Sequence, residues 1–144
     1  MSCELCDAVA STGDVVFEDE RTFVVLHNDW SVRGHAMIVS KRHVENPSDL
    51  DEDEWLHFAR VWRHTERVLL ELTKADRAIA LKLGLKAPHL HVHLYPVSAS
   101  ATREEVFAAI NMQSRVSRDE AFTLDTIRAL NEHSFGHVPN RHHP

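Results

Sequence analysis

The stretch His89-Leu90-His91-Val92-His93-Leu94-Tyr95 places a histidine at every second position, with apolar residues between them. Successive side chains on a β-strand point to opposite faces, so this alternation predicts a strand with one imidazole face and one apolar face. The apolar face has a natural place against a core. The imidazole face, with rings spaced by about 6–7 Å on a rigid element, is a candidate chemical site.

Two kinds of chemistry fit such a face, and the spacing alone does not decide between them. In the first, two or three of the histidines bind one metal ion. In the second, one imidazole attacks a phosphorus atom and its neighbours tune it, because imidazole is both a nucleophile and a proton carrier near neutral pH. A third interpretation is a solvent-exposed strand face without a chemical role, but valine, threonine or lysine would suit such a face better than three histidines.

The surrounding pattern predicts strands, one long helix, more strands, and then C-terminal helices. Asp51 and Glu54 form a capping box that begins a helix ending near Lys74. Apolar residues at helical spacing in this helix, which we expect to face the core, are Trp55, Phe58, Val61, Trp62, Val68, Leu69 and Leu72. The predicted strands are 15–17, 23–26, 36–39, 78–83 and 89–96, and the later helices are 106–110, capped from Thr102, and 120–131. This order predicts an α+β fold with a mainly antiparallel sheet packed against the long helix.

Bulk properties limit the class of protein. The 144 residues suggest one domain, which we place at 1–133 with a flexible tail at 134–144. A net charge of −6 disfavours a nucleic-acid polymer as partner, although a few local groups can still hold a small phosphate ligand. No apolar run reaches the roughly 20 residues of a membrane span, and the N-terminus has no signal-peptide pattern, so we expect a cytoplasmic protein.

Three sequence features together resemble the histidine triad family. The first is His89 to Tyr95, which is similar to the family signature of three histidines alternating with apolar residues. The second is 33–43, Arg-Gly-His-Ala-Met-Ile-Val-Ser-Lys-Arg-His, which resembles the family's upstream "PGHxLVIPKxH". The third is the Cys3-to-Cys6 pair, which is found in zinc-containing bacterial members. The resemblance covers about two-thirds of the chain.

The resemblance implies an activity and roles for three histidines. Members are usually homodimers that bind a nucleotide beside the triad and cleave dinucleoside polyphosphates, nucleoside phosphoramidates or similar adenylylated compounds. His91 would be the nucleophile and would form a transient nucleotidyl-imidazole. His93 would hydrogen-bond the phosphate, and His35 would help to orient the triad. No metal is required for that chemistry.

The resemblance also implies a structural zinc ion. Its ligands would be Cys3, Cys6, His43 and His89, a closed set of two thiolates and two imidazoles that suits a structural rather than a catalytic site. With only two cysteines in the chain, a disulfide framework is implausible.

The chain departs from the family in two places that concern substrate binding. The family's "GQ[ST]" segment before the triad is absent, and Lys82 or Lys86 could supply charge for the phosphate instead. His27 stands where members usually carry a ribose-binding aspartate; Asp29 could take that role by a register shift, and Trp30 could stack on a base or simply pack. The candidate nucleotide-binding residues are Leu5, Leu26, His27, Asn28, Asp29, Lys82 and His93.

Two other functions compete with the histidine triad hydrolase. One is a metal-dependent hydrolase that uses the strand histidines as ligands. The other is a nucleotide-binding regulatory module without catalysis.

Overall fold

The computed structural model describes residues 13–132. The strands in this range are β1 (Gly13–Glu18), β2 (Thr22–His27), β3 (Asp29–Trp30), β4 (Ala36–Ser40), β5 (Arg77–Leu81), β6 (His91–Val97) and β7 (Val116–Ser117). The helices are α1 (Glu52–Thr73), α2 (Arg103–Ile110) and α3 (Glu120–Glu132), with a short 3-10 turn at Pro47–Asp49. Leu5, Cys3, Cys6 and the expected tail lie outside the described residues.

Five strands form one antiparallel sheet in the order β1-β2-β4-β6-β5. Strands β1 and β2 form a hairpin, joined by a turn in which the Asp19 carboxylate accepts the backbone N–H groups of Arg21 and Thr22, both at 2.8 Å. Strands β3 and β7 form a separate two-stranded sheet that pairs Asp29 with Ser117 and Trp30 with Val116. The fold is α+β, as the order of elements predicts.

Helix α1 begins at the predicted capping box. The Asp51 carboxylate accepts the Glu54 N–H at 2.8 Å, and the Glu54 carboxylate accepts the Asp51 N–H at 3.0 Å, which satisfies two backbone donors at the helix start. The helix ends at Thr73, where Lys74 adopts the left-handed conformation at φ 59°.

The prediction that Trp55 packs in the core is wrong, because 38% of this residue is exposed. The buried residues of α1 are Phe58, Val61, Thr65, Val68 and Leu69, and Trp62 and Leu72 are partly buried. At 100° per residue, both tryptophans fall on one flank of that buried stripe rather than at its centre. Thr65 can lie at the centre because its hydroxyl donates to the Val61 carbonyl at 2.7 Å.

The two faces of the five-stranded sheet have different neighbours. One face packs against α1 through Val24, Leu26, Ile38, Val92 and Leu94, all nearly or fully buried. The other carries a second buried cluster of Val25, Met37 and Val39. Because His91 lies opposite Val39 and His93 opposite Met37, both imidazoles share this second face, away from α1.

Gly34 makes the sharp entry into β4 possible. Its φ is +87°, and a Cβ there would lie 2.9 Å from the Thr73 methyl group. We expect Gly34→Ala to lower the free energy of unfolding by about 2–3 kcal/mol, combining backbone strain with this clash. Gly84→Ala is the matched control, because Gly84 also has positive φ (+65°) but the nearest atom to its added Cβ is 3.7 Å away. Urea unfolding should therefore show a loss of only about 1 kcal/mol for the control; equal losses would contradict the packing argument.

Candidate functional site

The histidine strand is shorter than its sequence pattern predicts. Strand β6 begins at His91, and His89 precedes it. The Leu90 carbonyl still accepts the Ser40 N–H of β4 at 3.1 Å, but the Leu90 N–H donates to the Val44 carbonyl at 2.6 Å and the His89 N–H to the Ala87 carbonyl at 2.8 Å. The backbone pairing with β4 therefore ends at Leu90, one residue after His89. The prediction that all three histidines share one strand is therefore wrong for His89, whereas His91 and His93 do share one face.

Four imidazoles lie in a continuous line on that face, and we call them the imidazole row: His27, His35, His93 and His91. His27 stacks on His35 with centroids 4.8 Å apart and planes 12° apart. The centroids of His35 and His93 are 5.1 Å apart, and those of His93 and His91 are 5.0 Å apart. Tyr95 stacks on His35 at 4.3 Å and completes the cluster.

Burial keeps the imidazole row neutral. His35 is 1% exposed, and desolvation together with the neighbouring His93 and His27 lowers its pKa to about 2. Desolvation, with the neighbouring His91 and His27, lowers the pKa of His93 to about 4. Desolvation also lowers the pKa of His91 and of His27. The row can therefore offer uncharged ring nitrogens near neutral pH, as a nucleophile requires.

Hydrogen bonds define which nitrogen carries the proton in three of the rings. His91 Nδ1 lies 2.7 Å from the His89 carbonyl oxygen, which can only accept, so Nδ1 holds the proton and Nε2 holds a lone pair. His35 Nε2 lies 2.9 Å from His93 Nδ1. His35 Nδ1 is buried and has no partner among the described residues. Leaving a buried N–H without an acceptor costs more free energy than leaving a nitrogen lone pair without a donor. The His35 proton therefore lies on Nε2 and is donated to His93 Nδ1, and His93 keeps its own proton on Nε2.

His89 belongs to a different cluster from His91 and His93. Its Nε2 donates to the Ser40 carbonyl, and its Nδ1 lies 3.1 Å from His43 Nδ1. Two ligands of a tetrahedral zinc ion with bonds of 2.0–2.1 Å would lie about 3.3 Å apart, so this pair fits two corners of such a site. The described residues contain no group of three or more metal-binding side chains. The other two expected ligands, Cys3 and Cys6, fall before residue 13 and so outside the described range.

The candidate nucleotide-binding residues divide between the two faces of the sheet. Leu26 is fully buried against α1, so its side chain points away from the imidazole row. His27 belongs to the row, and its Nδ1 lies 3.0 Å from the Asp29 carbonyl oxygen. Lys82 directly follows β5. Burial is the main cause of the lowered pKa of His91, and the positive charge of Lys82 lowers this pKa further. Lys82 Nζ donates to Asn46 Oδ1 at 3.1 Å.

Near this segment, one residue was not found by sequence reasoning, and the structure favours packing, one of the two alternatives that the sequence left open for Trp30. Arg118, just after β7, donates to Asn28 Oδ1 at 3.0 Å; no motif marks it, because its partners lie about ninety residues away. Trp30, a candidate base-stacking residue in the sequence, is only 3% exposed and meets Phe122 edge to face at 5.1 Å. Trp30 is thus part of the core.

Acid should destabilise the fold through the buried histidines. The unfolded chain binds these protons near pKa 6.5, whereas folded His35 and His93 bind them only near 2 and 4. Their contribution to stability is therefore complete above pH 6.5 and is lost as the pH falls below it. From pH about 7.5 to about 5, we expect urea unfolding to show a loss of about 4 kcal/mol from the pair. His35→Gln should remove about 2 kcal/mol of this pH dependence, its half of the loss from the pair; an unchanged dependence would contradict the assignment.

Comparison with known proteins agrees with this geometry. The family model described as the HIT domain matches residues 9–100. An uncharacterized HIT-like protein of Methanocaldococcus jannaschii is 29% identical over 86 residues, which cover 57% of this chain and 67% of that protein.

Solved structures extend the likeness to the fold. A histidine triad protein of Bradyrhizobium japonicum superimposes with a TM-score of 0.72 at 21% identity, covering 92% of this chain and 98% of its own. A zinc-bound histidine triad family protein of Mycobacterium smegmatis gives a TM-score of 0.64 at 22% identity, covering 92% and 95%. The family model spans well over half of the chain and includes the whole imidazole row. The chain therefore belongs to the HIT domain family.

Proposed function

We propose that this protein is a nucleotide phosphohydrolase or nucleotidyltransferase that works through a covalent nucleotidyl-histidine at His91. The observation that carries the proposal is the hydrogen bond from His91 Nδ1 to the His89 carbonyl. It fixes the ring, leaves the Nε2 lone pair available, and stabilises positive charge on the imidazole as a bond forms at Nε2.

The proposed reaction has two steps. His91 Nε2 attacks the phosphorus atom of the nucleotide; a P–N bond forms, the bond to the leaving group breaks, and the leaving group departs with the bonding electron pair and gains a proton. Water then attacks the same phosphorus atom and loses one proton, which balances the proton that the leaving group gained. The P–N bond breaks and its electron pair returns to Nε2, which releases the nucleoside monophosphate and neutral His91. Another acceptor in place of water gives transfer.

Three further residues support these steps. His93 Nε2–H is suited to donate to a phosphoryl oxygen, because His35 occupies its Nδ1 at 2.9 Å. Lys82 adds a positive charge close enough to affect His91, which suits a phosphate approaching the row. His35 does not touch the substrate in this scheme and keeps His93 in the correct tautomer.

The substrate class follows from charge and family. A net charge of −6 fits a small nucleotide better than a polymer, and dinucleoside polyphosphates, nucleoside phosphoramidates and similar adenylylated compounds are the proposed substrates. No helix of residues 13–132 is long and apolar enough to cross a membrane. A homodimer in the cytoplasm is the proposed setting, on resemblance alone.

We also propose a structural zinc ion held by Cys3, Cys6, His43 and His89. The facing Nδ1 atoms of the two histidines and the hydrogen bond from His89 Nε2 to Ser40 support it, since zinc-bound imidazoles commonly donate their second N–H to a carbonyl. The ion would stabilise the fold around His89 and take no part in the reaction.

The same geometry weighs against a metal-dependent hydrolase built on the strand histidines. The Nδ1 atom of His89 faces His43, and that of His93 faces His35, so the three rings do not converge on one ion.

Trapping the intermediate tests the proposal. The reaction with an adenosine phosphoramidate is stopped during turnover by denaturing the protein in alkali, without any acid. This treatment should preserve an adenylyl group on His91, because a phosphorus–nitrogen bond is labile in acid and stable in base. Peptide mass spectrometry locates it, and activity should survive EDTA at a temperature where the protein stays folded. A regulatory module without catalysis predicts no adduct and no turnover, and a metal-dependent hydrolase predicts loss of activity with EDTA.

A further inference from the structure

Arg118 joins the start of the C-terminal helical region to the end of β2. Its backbone N–H donates to the Asn28 carbonyl at 3.0 Å. Its guanidinium donates to the Leu26 carbonyl at 3.2 Å, to Asn28 Oδ1 at 3.0 Å and to Asp14 Oδ2 at 2.6 Å. One side chain thus binds three separate acceptors on β1, β2 and the turn after β2.

The burial of Arg118 distinguishes it from a surface ion pair. Its side chain is 13% exposed, and its Nε is buried with no partner among the described residues. By contrast, Arg128 on α3 is 68% exposed and reaches Asp125 only at 3.7 Å. A planar, enclosed guanidinium with three bonds holds its acceptors in fixed relative positions, which a flexible exposed pair does not.

The residues that Arg118 holds are the two neighbours of His27. Leu26 precedes His27 and Asn28 follows it. The His27 backbone N–H donates to the His35 carbonyl at 3.0 Å, and its ring stacks on the His35 ring. The position of the His27 ring therefore depends on a strand end that Arg118 fixes on both sides.

We propose that Arg118 is a positioning residue for substrate binding, holding His27 at the outer end of the imidazole row. His27 is separated from His91 by two rings, so a displaced His27 should weaken binding of the part of the substrate far from the phosphorus atom and leave the attack itself nearly unchanged. The kinetic consequence rests on the proposed function; the positioning of His27 does not.

Histidine side-chain NMR tests the positioning without any substrate. Arg118→Lys keeps the positive charge, but its single compact ammonium lacks the planar fork whose separate nitrogens reach the three acceptors. In this variant and in Arg118→Met, the His27 ring should become hydrated and its pKa should rise toward the ordinary histidine value. If only the charge of Arg118 affected His27, the pKa of His27 would rise in Arg118→Met and stay unchanged in Arg118→Lys. The His27→Gln spectrum assigns the signal, and Arg128→Met is the matched arginine control, which should leave the signal unchanged.

Steady-state kinetics test the effect on substrate. Both Arg118 variants should raise KM for the adenosine phosphoramidate about tenfold and change kcat by less than about threefold, with Arg128→Met equal to the wild type. All measurements are made well below each variant's melting temperature. If Arg118→Met does not fold, the kinetics of Arg118→Lys alone decide the outcome.

The outcomes separate the two proposals. Unchanged His27 signals in folded Arg118 variants would overturn the positioning role, as would a fall in kcat as large as the rise in KM. A wild-type protein that turns over no nucleotide substrate would overturn the proposed function, while the NMR measurement would still decide whether Arg118 positions His27.

Discussion

Replacing His91 with alanine is expected to lower kcat/KM about a thousandfold or more, the scale observed when a covalent nucleophile is removed from an enzyme. The reason is specific to this ring. His91 has its Nδ1 proton committed to the His89 carbonyl and an Nε2 lone pair beside His93, whose own Nδ1 is bonded to His35. His27 also has its Nδ1 close to a backbone carbonyl, that of Asp29 at 3.0 Å, but it lies at the far end of the row, two rings away from His91, and so is not placed to take over the attack.

The matched control is His64→Gln. His64 lies on α1, away from the row, and its Nε2 is 3.1 Å from the Leu130 carbonyl, a bond that a glutamine amide can replace. This variant should keep wild-type turnover. Activity of His91→Ala within about tenfold of the wild type would show that the attack does not proceed through this ring.

Removing the proposed zinc ion is the second large effect that we expect. Purified protein should contain about one zinc per chain, and Cys3→Ser or His89→Ala should abolish zinc content. The melting temperature should fall by about 10 °C, which corresponds to a loss of about 3 kcal/mol for a chain of this size. Elemental analysis and thermal unfolding monitored by circular dichroism provide the two measurements.

A control separates loss of the ion from loss of any histidine contact. His57→Gln removes a histidine that pairs with Asp19 at 2.7 Å rather than with a proposed zinc ligand, and it should retain one zinc per chain. Metal-free protein with an unchanged melting temperature would rule out a structural zinc ion.

Much of the architecture is readable from local signals. The capping box at Asp51 fixes the start of α1, and the alternation around His91 and His93 predicts which side chains share a face. These signals succeed because they arise from backbone hydrogen bonds and strand periodicity, which operate over a few residues.

The features that sequence reasoning missed depend on distant contacts. His89 leaves the strand because its neighbour Leu90 bonds to Val44, and Trp55 is exposed because the buried stripe of α1 is centred on Thr65. The β3–β7 pairing has only two residues in each strand, too few for a pattern. Arg118 is an ordinary charged residue until the fold brings it to Asn28.

The β3–β7 pairing has a consequence for how the chain can be divided. The family model ends at residue 100, yet Val116 and Ser117 pair with β3, and Phe122 and Leu130 of α3 lie in the same core as Trp30. A fragment cut at residue 100 would expose Trp30 and leave that core open on one side. We therefore expect the unit that folds to be longer than the stretch by which the family is recognised, and any excised or fused version of this domain should run at least to residue 132.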